Sequence, residues 1–135
     1  MVLVKNRIVT VDRWVRAGDD EALPGAKPVI VSLDRWRRDR EILVARLEGV
    51  GIRLRSDQSP SLVANDLDRF GVIALEFPKF TDGRAYSYAR LLRERYGYRG
   101  EMRAVGVVLR DQLGFMARCG FDAFDLPDGI DATAW

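Results

Sequence analysis

Val72-Ile73-Ala74-Leu75-Glu76-Phe77-Pro78-Lys79-Phe80-Thr81-Asp82-Gly83-Arg84-Ala85-Tyr86-Ser87-Tyr88-Ala89 decides the fold class of this 135-residue chain. Residues 72–77 form an apolar run of strand length. A polar turn follows, and then apolar residues recur at helical spacing: Ala85, Tyr88, Ala89, Leu92 and Tyr96. Arg90, Arg93 and Glu94 fall on the opposite side. The pattern predicts a helix from about 83 to 96, with Asp82 as its N-cap and Gly97 as a left-handed stop.

The same alternation continues in both directions. Towards the C-terminus, 102–105 reads as a strand, 107–119 as a helix ended by Gly120, and 123–126 as a further strand before a loose tail, 128–135. Towards the N-terminus, Ser59 before Pro60 starts a helix to about Arg69, with Val63, Leu67 and Phe70 facing inward. Residues 52–54 form a weaker strand. Asp34 caps a helix to about Glu48, with Trp36, Leu43, Leu47 and Val50 on one face, and 29–33 is a buried strand. Strands alternating with helices of 10–15 residues predict a mainly parallel sheet of four to five strands, open or half-barrel, with right-handed crossovers. Residues 1–24 read differently, as an N-terminal hairpin and loop ahead of the βα core, 28–127. Val2–Val4 and Ile8–Val11 make the hairpin, which Trp14 and Val15 extend.

Composition bounds the function. A chain this long fits one domain and buries enough surface to need no staple. Cys119 is alone, and the chain has no His, so zinc, haem and iron–sulfur ligand sets and a His-based triad cannot be assembled within it. The N-terminal residues show no leader pattern, and no apolar stretch approaches ~18 residues, so the cytoplasm is the expected setting. Net charge is +2, yet 79–118 holds nine Lys/Arg and four Asp/Glu, +5 locally, against about −3 for the rest. That imbalance invites an anion. The interspersed acids argue against nucleic acid. Neither a dinucleotide fingerprint nor a Walker motif occurs, so no cofactor is implied.

In parallel α/β sheets ligands sit beyond the carboxyl ends of the strands. Lys79, Thr81, Gly83 and Arg84 are the candidate anion-binding group, because Arg84 forks onto two oxygens and helix-start N–H groups favour negative charge. Asp82 competes, since a capping carboxylate takes the same donors. Glu76 and Asp82 are the candidate acid/base residues. Arg103, Gly106, Asp111 and Gln112 are supporting residues, Arg103 as a partner for Glu76. Arg90, Arg93, Arg95 and Arg99 read as a solvated face, and Cys119 as a packing residue.

Phe77-Pro78-x-Phe80-x-Asp82-Gly83-Arg84, Leu92-Arg93-x-Arg95, Gly100-Glu101-x-Arg103-Ala104-x-Gly106, Asp111-Gln112 and Arg118-Cys119-Gly120-Phe121-Asp122-Ala123-Phe124 together resemble one bacterial domain-of-unknown-function family. That family carries the label of an oxidoreductase involved in sulfite reduction. The N-terminal hairpin, Asp20–Pro24 and the 29–33 strand are similar too. Val107 departs from the acidic residue common after the glycine at 106. The resemblance implies a role in assimilatory sulfur metabolism, with sulfite reductase haemoprotein or a related enzyme as partner. Three expectations follow: an accessory protein binding a partner or small oxyanion, an enzyme with an oxyanion site at the strand ends, and a structural subunit, homo-oligomeric or not. The last gains if Trp36, Tyr96 or Tyr98 shares an exposed apolar patch.

Overall fold

A computed structural model describes residues 2–128. Strands β1 (Val2–Lys5), β2 (Ile8–Thr10), β3 (Val15–Arg16), β4 (Val29–Ser32), β5 (Val50–Leu54), β6 (Phe70–Phe77), β7 (Glu101–Gly106) and β8 (Ala123–Leu126) form one sheet. Its order is β2-β1-β8-β7-β6-β5-β4-β3, so β3 to β8 lie side by side in chain order, all parallel. Helices α1 (Leu33–Val44), α2 (Arg84–Arg90) and α3 (Leu113–Cys119), with a 3-10 helix at Pro60–Arg69, cover one face. The α/β class is as expected, but the sheet has eight strands rather than four or five. The hairpin β1–β2 adds to β8 antiparallel, and β3 adds to β4.

The connection from β2 to β3 imposes the curvature. These strands are the two edges of the sheet, yet only residues 11–14 join them. Eight flat strands would hold their outer members roughly 34 Å apart. Five chain steps reach at most about 18 Å. The sheet therefore curls into a half-barrel that brings its edges towards each other. Residues 11–14 cross at the amino ends of the parallel strands. There a Cβ on Gly71 would lie 3.0 Å from the Trp14 ring. Trp14 and Val15 thus do not extend the hairpin; Val15 pairs with Val29 at the far edge.

Side chains alternate between the two faces of each strand. Val29, Val31, Ile52, Leu54, Ile73, Leu75, Phe77, Met102 and Ala104 meet the helices in the core, where Trp36 packs edge-on to Phe70 and Phe77 to Tyr86. Val63 and Leu67 are buried as the sequence predicts. Several helices are shorter than predicted. Ser32, not Asp34, caps α1, and α1 ends at Val44, which leaves Leu47 97% exposed. The helix from Arg84 loosens into a π turn at Leu91–Arg95, where the Tyr96 N–H reaches the Leu91 carbonyl. Val107 and Leu109 stay outside the last helix, because Gly106 (φ +90°) turns the chain and the Val107 N–H donates to the Phe77 carbonyl at 2.7 Å. Only Arg110–Gln112, as a 3-10 turn, and Leu113–Cys119 are helical. Apart from Asp128, the predicted tail lies outside the described residues.

Candidate functional site

The other parity of the strands faces the inside of the curl, and three adjacent parallel strands put charges there: Arg53 on β5, Glu76 on β6 and Arg103 on β7. Register sets Arg53 beside Ala74 and Ala74 beside Arg103, so Glu76 has an arginine on either flank. It takes Arg53, whose Nη2 donates to Oε1 at 2.9 Å, and not the anticipated Arg103.

Arg103 is occupied elsewhere. Its guanidinium is buried and donates to Glu101 (Nε to Oε2, 2.9 Å) and to both oxygens of Asp12 (2.9 and 3.3 Å). Asp125 lies 3.8 Å away, and Lys5 of β1 reaches Glu101 at 3.1 Å. Burial opposes the charge on Arg103, but Asp12 and Glu101 outweigh it and hold the pKa above the ordinary arginine value. The arrangement fastens residues 11–14 to the inner wall of the sheet.

Arg16 is placed differently. It stands on edge strand β3, beside Ile30 of β4, and makes no hydrogen bond or ion pair with any described residue. Its pKa is lowered first by desolvation and then by Arg53, with Asp125 and Glu76 pulling the other way. The two guanidiniums flank β4, one strand to either side, and line a cavity of about 410 Å³ with Ser32 and Ile30 between them. The far wall is the β3–β4 connection, which carries no helix and contributes Gly18, Asp19 and Glu21. Buried Arg35 holds this wall: its Nη1 donates to the carbonyls of Gly18 (2.7 Å), Asp19 (3.0 Å) and Glu21 (2.7 Å). Arg38 also donates to the Asp19 carbonyl. The site thus sits at the carboxyl ends of β3, β4 and β5, where parallel sheets receive ligands.

The turn singled out in the sequence follows β6, the strand next to β5. Arg84 donates to Asp82 (Nη2 to Oδ2, 2.8 Å; Nε to Oδ1, 3.1 Å) and to the Ser56 hydroxyl at 2.9 Å. Asp82 Oδ1 also accepts the Arg84 N–H at 3.2 Å. These bonds hold the Asp82 carboxyl well below the usual carboxylate range. Asp82 therefore faces the helix start, and the two charges answer each other. Gly83 is the residue before α2, and Lys79 and Thr81 are exposed. Gln112 accepts from the Tyr86 hydroxyl at 3.2 Å, and Asp111 is exposed. Gly106 serves the backbone, since a Cβ there would meet the Phe77 carbonyl oxygen at 2.5 Å. Of the predicted acid/base pair, Glu76 lies on the inner face and Asp82 in the loop after β6, with no contact between them described. Arg93 binds the carbonyls of Gly120, Tyr98 and Gly100, so it ties down loops where a solvated face was expected. Trp36 and Tyr98 are buried, Tyr96 is half-buried and Cys119 is buried.

Arg16, Arg53, Asp12 and Glu101 are the residues that sequence reasoning did not select for this face. One signal was present: a charge alternating with apolar neighbours inside a buried strand, as in Ile52-Arg53-Leu54 and Met102-Arg103-Ala104. Such a charge needs a partner on the same face.

Fold and site define an α/β half-barrel with a charged inner face and a cavity bordered by two arginines. A model of the family described as "Bacterial protein of unknown function (DUF934)" matches residues 51–135, and the chain belongs to that family. The match runs from Gly51, inside β5, through β8 and includes Arg53, Glu76 and Arg103; Arg16 precedes it. No curated protein and no solved structure matches the chain. No helix among the described residues is long and apolar enough to cross a membrane.

Proposed function

We propose that this protein binds a small oxyanion as an accessory protein of assimilatory sulfite reduction, working in the cytoplasm beside sulfite reductase haemoprotein or a related enzyme. The observation that carries the binding is Arg16. It is an arginine with no carboxylate bonded to it, and it lines a cavity together with a second arginine across β4. An unpaired guanidinium with a second one across the neighbouring strand is stabilised by an anion beside it, and guanidinium is the side chain best shaped for oxyanions. The sulfur pathway comes from the sequence resemblance alone.

Titrating sulfite and sulfate against thermal unfolding tests the binding. A saturable rise in Tm is expected, lost in Arg16→Ala. A rise that survives Arg16→Ala puts the anion elsewhere, and no rise removes the reading. A deletion strain tests the pathway: growth on sulfate and sulfite should fail and growth on cysteine persist. Normal growth on all three sources refutes it.

An enzymatic reading draws on Glu76, whose carboxylate is bonded to Arg53 at the cavity edge. Under it, Glu76→Gln would abolish turnover of the bound anion without weakening its binding, since the substitution removes a negative charge from Arg53.

A further inference from the structure

The cavity is larger and chemically less uniform than an inorganic ion requires. Its volume of about 410 Å³ falls in the range of small-molecule sites, roughly 300–1,000 Å³. Sulfate displaces only the equivalent of a few waters of about 30 Å³ each. The walls differ in sign. Arg16 and Arg53 stand on the strands, whereas Asp19 and Glu21 belong to the β3–β4 connection.

Both carboxylates are half engaged. Asp19 Oδ1 accepts the Ser32 hydroxyl at 2.5 Å, and Glu21 Oε1 accepts the Gly18 N–H at 3.0 Å. The second oxygen of each has no hydrogen bond among the described residues. Their positions are fixed, because buried Arg35 holds the carbonyls of Gly18, Asp19 and Glu21, and Ser32 Oγ accepts the Arg35 N–H at 3.0 Å. A wall held by three carbonyl bonds to one guanidinium is preorganised, so little ordering cost remains for binding.

We infer that the cavity takes a small organic oxyanion, a sulfonate or phosphate monoester, that carries an ammonium group at its other end. The oxyanion lies on Arg16 and Arg53, and the ammonium lies on Asp19 and Glu21. Ser32, between the two poles, is already committed to Asp19 and to the start of α1. This inference rests on the anion-binding reading above and names the ligand class of that site.

Four probes separate the possibilities in calorimetric titrations of the full chain: inorganic sulfate, ethanesulfonate, 2-aminoethanesulfonate and 2-aminoethyl phosphate. At least one amino compound should bind on the order of tenfold more tightly than ethanesulfonate, the gain of a charge-assisted hydrogen bond. Which of the two binds better tells sulfonate from phosphate. The gain should disappear in the double variant Asp19→Asn, Glu21→Gln, and all binding should weaken in Arg16→Ala. Equal affinities for ethanesulfonate and both amino compounds, with sulfate still bound, would overturn the ammonium pole and leave the anion site standing. A gain that persists in the double variant overturns it too. Failure of all four probes to bind removes both proposals.

Discussion

Arg103 and Arg16 stand on the inner face of one curled sheet, and their surroundings are opposite. Arg103 is buried and shares its donors among Asp12 and Glu101, with Asp125 close by. Arg16 is exposed on an edge strand, makes no hydrogen bond or ion pair with a described residue, and has its pKa lowered by desolvation and then by Arg53, against the pull of Asp125 and Glu76. A buried charge with its own carboxylates is already answered and holds the chain together. A charge with no carboxylate bonded to it keeps its donors open to an anion from outside. The difference between scaffold and site on this face is therefore one of pairing, since both are arginines in strands.

The largest expected effect breaks the scaffold side. Arg103→Met would leave Glu101 and Asp12 without their cation. The cost should be about 3 kcal/mol, at the lower end for a broken buried pair because Lys5 stays with Glu101. Urea unfolding measures it, and adding Glu101→Gln should recover part of the loss. An unchanged midpoint would mean the network contributes nothing to stability.

Gly106→Ala tests the frame that separates the strand ends from the last helix. It combines a positive φ of +90° with a Cβ placed 2.5 Å from the Phe77 carbonyl oxygen. A loss of about 1–3 kcal/mol in thermal unfolding is expected, with anion binding preserved in the protein that remains folded.

Asp125 sharpens the comparison through pH. Burial raises its pKa above the ordinary carboxylate value, against the pull of Arg103. A raised carboxylate contributes stability that is fully present below the unfolded pKa, about 3.9, and lost as pH rises through the folded pKa. Asp125→Asn is neutral at every pH. Its stability relative to the natural protein should therefore rise as pH increases from about 4. A gap that shrinks with rising pH would show that Arg103 outweighs burial.

The smallest effect on stability belongs to the site side. Arg16→Ala should shift unfolding by no more than about 0.5 kcal/mol, as expected of an exposed residue without partners, or raise stability slightly by relieving Arg53. Loss of anion binding with folding untouched is the signature of a site. A large loss of stability would place Arg16 with Arg103 in the scaffold.

Much of the fold is legible in the order of the residues. Residues 123–126 are the strand the sequence indicates, 72–77 lie within β6, and the segment after Ser59 coils where expected. These are local properties: side-chain periodicity, a capping hydroxyl, a proline at the first turn. Helix lengths are less legible, because Gly106 and its contact with Phe77 override the apolar pattern of 107–109. The candidate site is least legible. The turn at 81–84 has the composition of an anion site, but Asp82 is close enough to Arg84 to take its donors. Arg16 falls in a two-residue strand that no periodicity can mark.

The sequence by itself determined that strands and helices alternate, which residues carry the apolar faces, and that positive charge is in excess around 79–118. Those conclusions rest on neighbours within a few residues. Tertiary structure alone decided which charges meet. Asp12 reaches Arg103 across 91 positions of the chain, and Arg16 is brought towards Arg53 by the pairing of β3 with β4 and of β4 with β5. The first outcome follows from the four-residue link that joins the two edges of the curled sheet, the second from strand pairing, and no stretch of sequence encodes either meeting locally.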